Sequence, residues 1–171
     1  MNQKKETHFG YEIIDKEEKS KKVNAVFDSV ATNYDLMNNL MSMGLHHVWK
    51  KILVETTTLK AKSKILDIAA GTADLSIEFL KKNKDFEVFH TDINLSMLKE
   101  GKKKLINKGK ITPSILCDAE ALPFPNNFFD CVTIAFGLRN LASFENGLRE
   151  MYRLTKPSGK MLVLDFGKPG F

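Results

Sequence analysis

The chain has 171 residues, of which 43% are hydrophobic and 27% are charged. These proportions are typical of one globular domain and exclude a fibrous or wholly disordered chain. The net charge of +5 comes mostly from scattered lysines without interleaved aromatic residues, which argues against a nucleic-acid surface. The sequence has no run of about 18 apolar residues and no apolar stretch after its basic start. We therefore expect neither a membrane span nor a secretory signal, and a cytoplasmic location.

The two cysteines, Cys117 and Cys131, lie in separate apolar segments. Neither belongs to a Cys-x-x-Cys pair or has a histidine at metal-ligand spacing. This arrangement favours two reduced thiols packed in the core. The sequence therefore predicts neither a disulfide nor a metal site.

The N-terminal third of the chain has a helical pattern. Residues 1–18 are polar, and we expect their start to be poorly ordered. From Val23 to Val30, and again from Leu45 to Leu53, apolar residues recur at helical spacing. The stretch between them is rich in methionine, which suits adaptable packing against an apolar ligand, although ordinary core filling is the alternative.

From Lys64 onward, apolar runs alternate with helical patterns. Strands are predicted at 64–70, 87–93, 111–119, 129–136 and 160–166. Asn94 and Ser143 are expected to cap helices, the second of which should stop at 157–159. This alternation predicts a Rossmann-like α/β fold, a doubly wound and mostly parallel sheet with helices on both faces. Ligands bind such sheets at the carboxyl ends of the strands.

The turn after the first strand, residues 67–74, contains a single glycine, Gly71. A dinucleotide site needs several glycines so that the backbone can approach a pyrophosphate, which argues against NAD or FAD. S-adenosylmethionine has no phosphate and needs fewer glycines. Asp67 and Asp74 could bind amides of the turn or the amino-acid part of that cofactor.

Polar residues also end the second and third strands. Asp92 lies 25 residues after Asp67 and could accept hydrogen bonds from both ribose hydroxyls, although an acid at a helix start is the alternative. Asp118, Ala119 and Glu120 could contact an adenine. Together, the three strand ends predict the cofactor site of a class I S-adenosylmethionine-dependent methyltransferase.

A specific family resemblance adds to this interpretation. The stretch Tyr34–Trp49 resembles the N-terminal signature of the ubiquinone/menaquinone biosynthesis C-methyltransferase family, with its histidine at His46. Residues 118–125, 136–140 and 153–159 are similar to later stretches of that family. The resemblance implies cofactor contacts at Thr72, Asp92, Asp118 and Ala119. Ala135 replaces a serine found in many members, so only its backbone could contribute.

The resemblance implies methylation of a ring carbon of a polyprenylated quinol, either 2-polyprenyl-6-methoxy-1,4-benzoquinol or demethylmenaquinol or both. Arg139 would stabilise the quinolate and Asn140 would orient it, although Arg139 could instead form a solvent-facing ion pair. The substrate residues would be Tyr34, Met37, His46 and Trp49. A plain helix-start role is the alternative for His46.

The chain departs from the family pattern at three points. Ala73 replaces the second glycine of the Gly-Thr-Gly-Asp turn and would be strained at positive φ. Asp165 stands where the family has glutamate. Family members continue beyond the fifth strand, so we expect the last strands and part of the lid to be missing. Two segments are predicted: a helical segment, 1–58, that covers the substrate site, and a truncated cofactor domain, 59–171.

Two other functions fit the same residues. One is methylation of another small molecule or of an RNA base, and the other is a non-catalytic fragment that binds the cofactor or a partner. The resemblance leaves open peripheral contact with the inner membrane, contact with other quinone-biosynthesis enzymes and a homodimer. Nucleic acid is not an expected partner.

Overall fold

The computed structural model describes residues 6–9 and 12–167. The strands are β1 (Glu6–Phe9), β2 (Glu12–Asp15), β3 (Lys64–Ile68), β4 (Glu87–Asp92), β5 (Ser114–Leu116), β6 (Phe129–Ala135) and β7 (Thr155–Leu164). The α-helices are α1 (Lys16–Val30), α2 (Tyr34–Ser42), α3 (Leu45–Thr56), α4 (Asp74–Lys82), α5 (Leu95–Asn107) and α6 (Phe144–Leu154). Short 3₁₀ turns lie at Ala31–Asn33 and Leu138–Asn140.

Strands β3 to β7 form one parallel sheet in the order β5-β4-β3-β6-β7. The chain runs outward from β3 through β4 to β5 and then returns to β6 on the other side of β3. The strand order therefore reverses between β3 and β6, and a crevice opens at their carboxyl ends. The doubly wound parallel sheet predicted from the sequence is confirmed.

Strand β3 shows why an apolar run forms the centre of this sheet. Ile65 and Phe79 of α4 belong to the core on one face, while Leu66 and Met151 of α6 belong to the core on the other. All four side chains are fully buried. Since helices cover both faces, successive residues of β3 must be apolar on both sides. Each such side chain contributes about 1.5–3 kcal/mol to stability.

The third and fifth predicted strands have different bounds in the structure. Strand β5 covers only three residues, because it is an edge strand and Pro113, just before it, has no N–H to donate. Strand β7 begins at Thr155 instead of residue 160, and α6 ends at Leu154 instead of at 157–159. The chain makes an irregular bend within β7, where the register with β6 shifts and Ser158 has a φ of 64°.

The N-terminal segment is more ordered than the sequence suggested. Strands β1 and β2 pair as an antiparallel hairpin, and α1 begins at Lys16, seven residues before Val23. The expectation for residues 1–5 lies outside the described part of the chain. No helix in the described ranges is long and apolar enough to cross a bilayer.

The two predicted caps are confirmed, and of the two cysteines only Cys131 is buried in the core, whereas Cys117 is half-buried. The Asn94 side chain accepts the Met97 N–H at 2.9 Å, and the Ser143 hydroxyl oxygen accepts the Asn146 N–H at 3.4 Å. Both cysteines are free thiols. Burial raises the pKa of Cys131 to about 12, so this thiol stays protonated and unreactive at neutral pH.

Helix α1 lies across the crevice and is held on both sides of it. On one side, the Lys19 ammonium donates to the carbonyl oxygens of Arg139 at 3.1 Å and Leu141 at 2.8 Å. On the other side, the Asn94 amide donates to the Asp28 carboxylate at 2.9 Å. Burial lowers the pKa of Lys19. Part of the predicted helical cover thus lies over the crevice itself.

Candidate active site

The turn between β3 and α4 forms the floor of the crevice in an unusual conformation. Ala69, Gly71 and Ala73 all have positive φ, at 49°, 54° and 64°. For a non-glycine residue the left-handed region costs roughly 1–2 kcal/mol. The position of the second family glycine therefore does require positive φ, and Ala73 is strained there.

Two residues of β4 hold this turn in place. The Asp92 carboxylate accepts the Gly71 N–H at 2.8 Å, and the His90 ring donates from Nε2 to the Gly71 carbonyl at 3.0 Å. Helix α5 packs against the same place through Gly101, where an added Cβ would lie only 2.5 Å from the Gly71 oxygen. Sequence patterns could not identify His90, because its partner is a backbone group distant in sequence.

Asp92 lies at the bottom of the crevice with its carboxylate almost fully buried. Its second oxygen accepts the Asn94 N–H at 2.8 Å. Each oxygen keeps a further lone pair with which it can accept a hydrogen bond from a hydroxyl group. Burial raises the pKa of Asp92. The arrangement suits a carboxylate that binds the two hydroxyl groups of a ribose.

A groove of two adjoining cavities, about 50 and 80 Å³, runs beneath α1 along the strand ends. Asp118 and Ala119 line the first cavity together with apolar neighbours, whereas Gly71, Asp92 and Ala135 line the second. The structure therefore brings together five of the seven predicted cofactor residues. Small-molecule sites usually measure about 300–1,000 Å³, so the groove as it stands beneath α1 is smaller than a typical nucleoside site.

The other two predicted cofactor residues face elsewhere. The Asp67 carboxylate is buried beneath α4, where it accepts the Ser76 hydroxyl at 2.6 Å, and it does not line the groove. Burial raises the pKa of Asp67 to about 7. The Thr72 hydroxyl donates to Asp35 at 2.6 Å and faces the neighbouring cavity. Direct contact of Asp67 with the cofactor is therefore not supported by its position.

A cluster of charged residues joins α2 and α3 to the cofactor domain. Asp74 at the start of α4 pairs with Lys50 at 3.0 Å and with Lys104 at 2.5 Å, and Lys104 also pairs with Asp35 of α2. Although burial opposes ionisation, the two lysines hold the pKa of Asp74 well below its usual range. The ring nitrogens of His46 and His47 each lie 3.9 Å from this carboxylate. A metal ion there would compete with two ammonium groups already bound.

A larger cavity of about 330 Å³ lies between this cluster and the sheet. Its lining residues are Tyr34, Asn38, Met41, Ser42, Met43, Leu45, His46, Trp49, Lys50, residues 69–72, Ala135, Phe136, Arg139 and Phe166. Of the predicted substrate residues, Tyr34, His46 and Trp49 line it and Met37 does not. Arg139 also lines it, whereas Asn140 lies in the groove beneath α1.

Aromatic rings form one wall of this 330 Å³ cavity. Phe136 and Phe166 stack with centroids 5.0 Å apart, and the Trp49 ring meets the edge of Phe166 at 5.8 Å. The Arg139 guanidinium lies 5.2 Å from the Phe166 centroid and pairs with Asp165. Phe136 follows β6 directly and Phe166 lies two residues after the end of β7, so the strand-end rule could have identified them. Such a wall suits a flat aromatic molecule beside a cation.

The groove and the 330 Å³ cavity meet at the sheet. Tyr34, Gly71, Ala135 and Phe136 line both of them. Burial raises the pKa of the Tyr34 phenol, which therefore stays protonated at neutral pH. A methyl donor bound in the groove and a methyl acceptor bound in the cavity would be in contact at this junction.

The fold is the Rossmann-like fold of class I methyltransferases. An S-adenosylmethionine-dependent methyltransferase from Aquifex aeolicus has the same fold, with a TM-score of 0.60 and 19% identity over 81% of this chain and 68% of that one. A putative methyltransferase from Bacillus halodurans gives a TM-score of 0.65 and 24% identity over 70% of this chain and 52% of that one.

Sequence comparison gives the family. Residues 15–171 match the ubiE/COQ5 methyltransferase family. The chain is 56% identical over 164 residues to a ubiquinone/menaquinone biosynthesis C-methyltransferase, UbiE, from Paraburkholderia phymatum, covering 95% of this chain and 68% of that protein. For UbiE of Burkholderia thailandensis the identity is 55%, over 95% of this chain and 67% of that protein. The chain belongs to the ubiE/COQ5 methyltransferase family and is an S-adenosylmethionine-dependent methyltransferase.

The role of Asp92 in cofactor binding can be tested by exchanging it for asparagine. Asp92→Asn replaces one accepting oxygen with an amide that cannot accept the Gly71 or Asn94 N–H. We expect the affinity for S-adenosylhomocysteine to weaken by about 1–3 kcal/mol, as measured by calorimetry. Asp85→Asn, on an exposed turn, is the matched control. Equal affinity in wild type and Asp92→Asn would rule out a ribose contact at this carboxylate.

The buried carboxyl of Asp67 predicts a dependence of stability on pH. Its pKa rises from 3.8 to about 7 on folding, so between these values the folded state binds more protons than the unfolded chain. The unfolding free energy of the wild type therefore loses this contribution as pH rises towards about 7. Asp67→Asn cannot ionise and should become progressively more stable than wild type over that range in urea denaturation. A constant difference from pH 5 to 8 would contradict this assignment.

Proposed function

We propose that this chain methylates a ring carbon of a polyprenylated quinol, the 2-polyprenyl-6-methoxy-1,4-benzoquinol or demethylmenaquinol of quinone biosynthesis or both. The observation that carries the proposal is the aromatic wall of Trp49, Phe136 and Phe166, which opens directly onto the groove beneath α1. The names of the relatives from Paraburkholderia and Burkholderia support it. A flat ring on this wall would face the donor at the junction formed by Tyr34.

The residues that line the groove have the chemical character that binding of S-adenosylmethionine requires. The lone pairs of Asp92 would accept the ribose hydroxyls, and the apolar cavity beside Asp118 and Ala119 would take the adenine. Gly71 and the backbone at Ala135 would approach the amino-acid part. When bound, the cofactor supplies a methyl group made electrophilic by the sulfonium charge. The protein's main contribution is to align the acceptor carbon with that group.

We assign Arg139 to binding the ring oxygen of the quinol. Its guanidinium lines the 330 Å³ cavity, where it pairs with Asp165 and lies beside the Phe166 ring. A fixed cation at that position stabilises the quinolate as the ring carbon becomes nucleophilic. Asn140 lines the groove, where the methyl donor would bind, and does not line the 330 Å³ cavity. It would therefore orient the quinol only through a bridging water.

The prenyl tail would leave the cavity beside the junction of α2 and α3. Leu36, Leu40, Met41, Met43 and Leu45 are all exposed there and form what we call the apolar tip. Met41, Met43 and Leu45 also line the cavity, so the apolar surface continues from inside to outside. We assign the apolar tip to peripheral contact with the cytoplasmic face of the inner membrane. A homodimer and contact with other quinone-biosynthesis enzymes stay predictions.

The proposed reaction predicts turnover that depends on Arg139. Purified protein supplied with labelled S-adenosylmethionine should methylate a short-tailed demethylated quinol and leave RNA unlabelled. Arg139→Ala should lower kcat about 10²–10³-fold, because the developing oxyanion loses its fixed cation. Arg139→Lys should retain more activity, and Arg149→Ala, on the exposed side of α6, should be unaffected. Wild-type protein without quinol turnover would refute the function, and an unimpaired Arg139→Ala would refute only the role of this residue.

The membrane assignment predicts a loss of vesicle binding when the apolar tip becomes polar. The double variant Leu40→Gln, Met43→Gln should bind anionic phospholipid vesicles roughly tenfold more weakly than wild type in a flotation assay. The reason is that two apolar side chains would no longer be partly buried in the bilayer. Ile111→Gln is the matched control, since Ile111 is equally exposed but lies before β5. If the two variants floated alike, the apolar tip would not be the membrane contact.

A further inference from the structure

Lys19 of α1 is a buried ammonium group. Only 7% of the residue is exposed, and its Nζ donates to the carbonyl oxygens of Arg139 at 3.1 Å and Leu141 at 2.8 Å. Removing an ammonium from water is costly, and burial accordingly lowers the pKa of Lys19, although Glu120 acts in the opposite direction. An apolar side chain could hold α1 against the sheet without that cost. The contact therefore calls for an explanation other than stability.

The two carbonyl oxygens belong to the turn that carries Arg139. The 3₁₀ residues of this turn are Leu138–Asn140, and Leu141 follows them. Arg139 lines the 330 Å³ cavity, whereas Asn140 and Leu141 line the groove beneath α1. The turn thus separates the proposed donor site from the proposed acceptor site, and its position decides where the guanidinium lies.

Lys19 and Asp165 together hold the backbone of Arg139. The Arg139 N–H donates to the Asp165 carboxylate at 3.1 Å, and the guanidinium pairs with the same carboxylate. The Arg139 carbonyl oxygen accepts from Lys19. Both hydrogen-bonding groups of this backbone are therefore satisfied by charged side chains from elements distant in sequence. Such charge-assisted bonds are stronger than those between neutral groups.

Lys19 also lies beside the roof of the groove. Val23 and Asn24 of α1 line both cavities of the groove. Lys19 precedes them by about one helical turn, so it lies on the same side of α1. The lysine therefore links the segment that covers the donor groove to the turn that supplies the cation of the acceptor cavity.

We propose that Lys19 is a positioning residue for methyl transfer, which holds the turn of Arg139 so that the guanidinium faces the ring oxygen of the quinol. This inference rests on the proposed function and on the role of Arg139 in it. Lys19 lines neither the groove nor the 330 Å³ cavity, so it acts through the backbone of the turn. The cation is then in place before the quinolate forms, and no reorganisation is needed during the transfer.

The first test uses Lys19→Met, which removes the ammonium and keeps most of the length of the side chain. At saturating S-adenosylmethionine we expect kcat to fall about 10–100-fold, because a displacement of about 1 Å at a reacting centre is enough for such a loss. KM for the quinol should stay within about twofold of wild type, since Arg139 binds the quinolate more strongly than the quinol. Lys19→Arg, which keeps a cation and its donors, should recover part of kcat.

Lys21→Met is the matched control, since Lys21 is an exposed lysine of the same helix, and it should keep the wild-type kcat. A double variant separates positioning from a general loss of stability. In an Arg139→Ala background, Lys19→Met should lower kcat no further, because the guanidinium that it positions is absent. If Lys19→Met does not fold, Lys19→Arg serves for the same comparison.

The outcomes of this comparison are distinct. An equal loss of kcat in the wild-type and Arg139→Ala backgrounds would overturn the inference and leave the quinol function standing. No quinol turnover by wild type would instead refute the proposed function.

Amide hydrogen exchange gives a readout that needs no turnover. Within the turn, the Asn140 N–H donates to the Gly137 carbonyl at 3.0 Å and the Leu141 N–H to the Leu138 carbonyl at 3.2 Å. In Lys19→Met these two amides should exchange roughly tenfold faster than in wild type, because two hydrogen bonds that hold the turn are lost. The amides of β3 should be unchanged, and Lys21→Met should match wild type throughout. Unchanged exchange in the turn of Lys19→Met would overturn the inference whatever the substrate.

Discussion

The hydrogen bonds of the Asp92 carboxylate to the Gly71 and Asn94 amides are the contacts on which the site depends. They connect the turn after β3 to the start of α5 and keep a turn with three left-handed residues in a single conformation. The same turn lines both the groove and the 330 Å³ cavity. The strain at Ala73 is thus balanced by contacts that also shape the donor and acceptor sites.

A second constraint is the charged cluster centred on Asp74. Through Lys50 and Lys104 it joins α3, α4, α5 and Asp35 of α2, so the helices that cover the cavity are held against the sheet by ion pairs. The cluster also sets the electrostatic surroundings of His46. One group of charges therefore holds the cover of the acceptor cavity against the sheet.

The fold alone does not specify an acceptor, since one fold supports many functions. The features of this chain that bear on the acceptor are the stack of Phe136 on Phe166 beside Arg139 and the exposed apolar tip next to the same cavity. These features favour an aromatic ring with an apolar tail. The specificity therefore lies in residues at strand ends and in the N-terminal helices.

The sequence by itself determined the parallel sheet, the caps at Asn94 and Ser143 and the strand-end residues Gly71 and Asp92, because periodicity and chain order place such groups at one edge of a sheet. It could not determine the direction of each side chain. Asp67 faces α4 because alternate residues of β3 point to opposite faces. Arg139 and Asn140 line different cavities because successive residues of a 3₁₀ turn point about 120° apart. The wall of Phe136 and Phe166 depends on a contact between two elements distant in sequence, which only the tertiary structure decides.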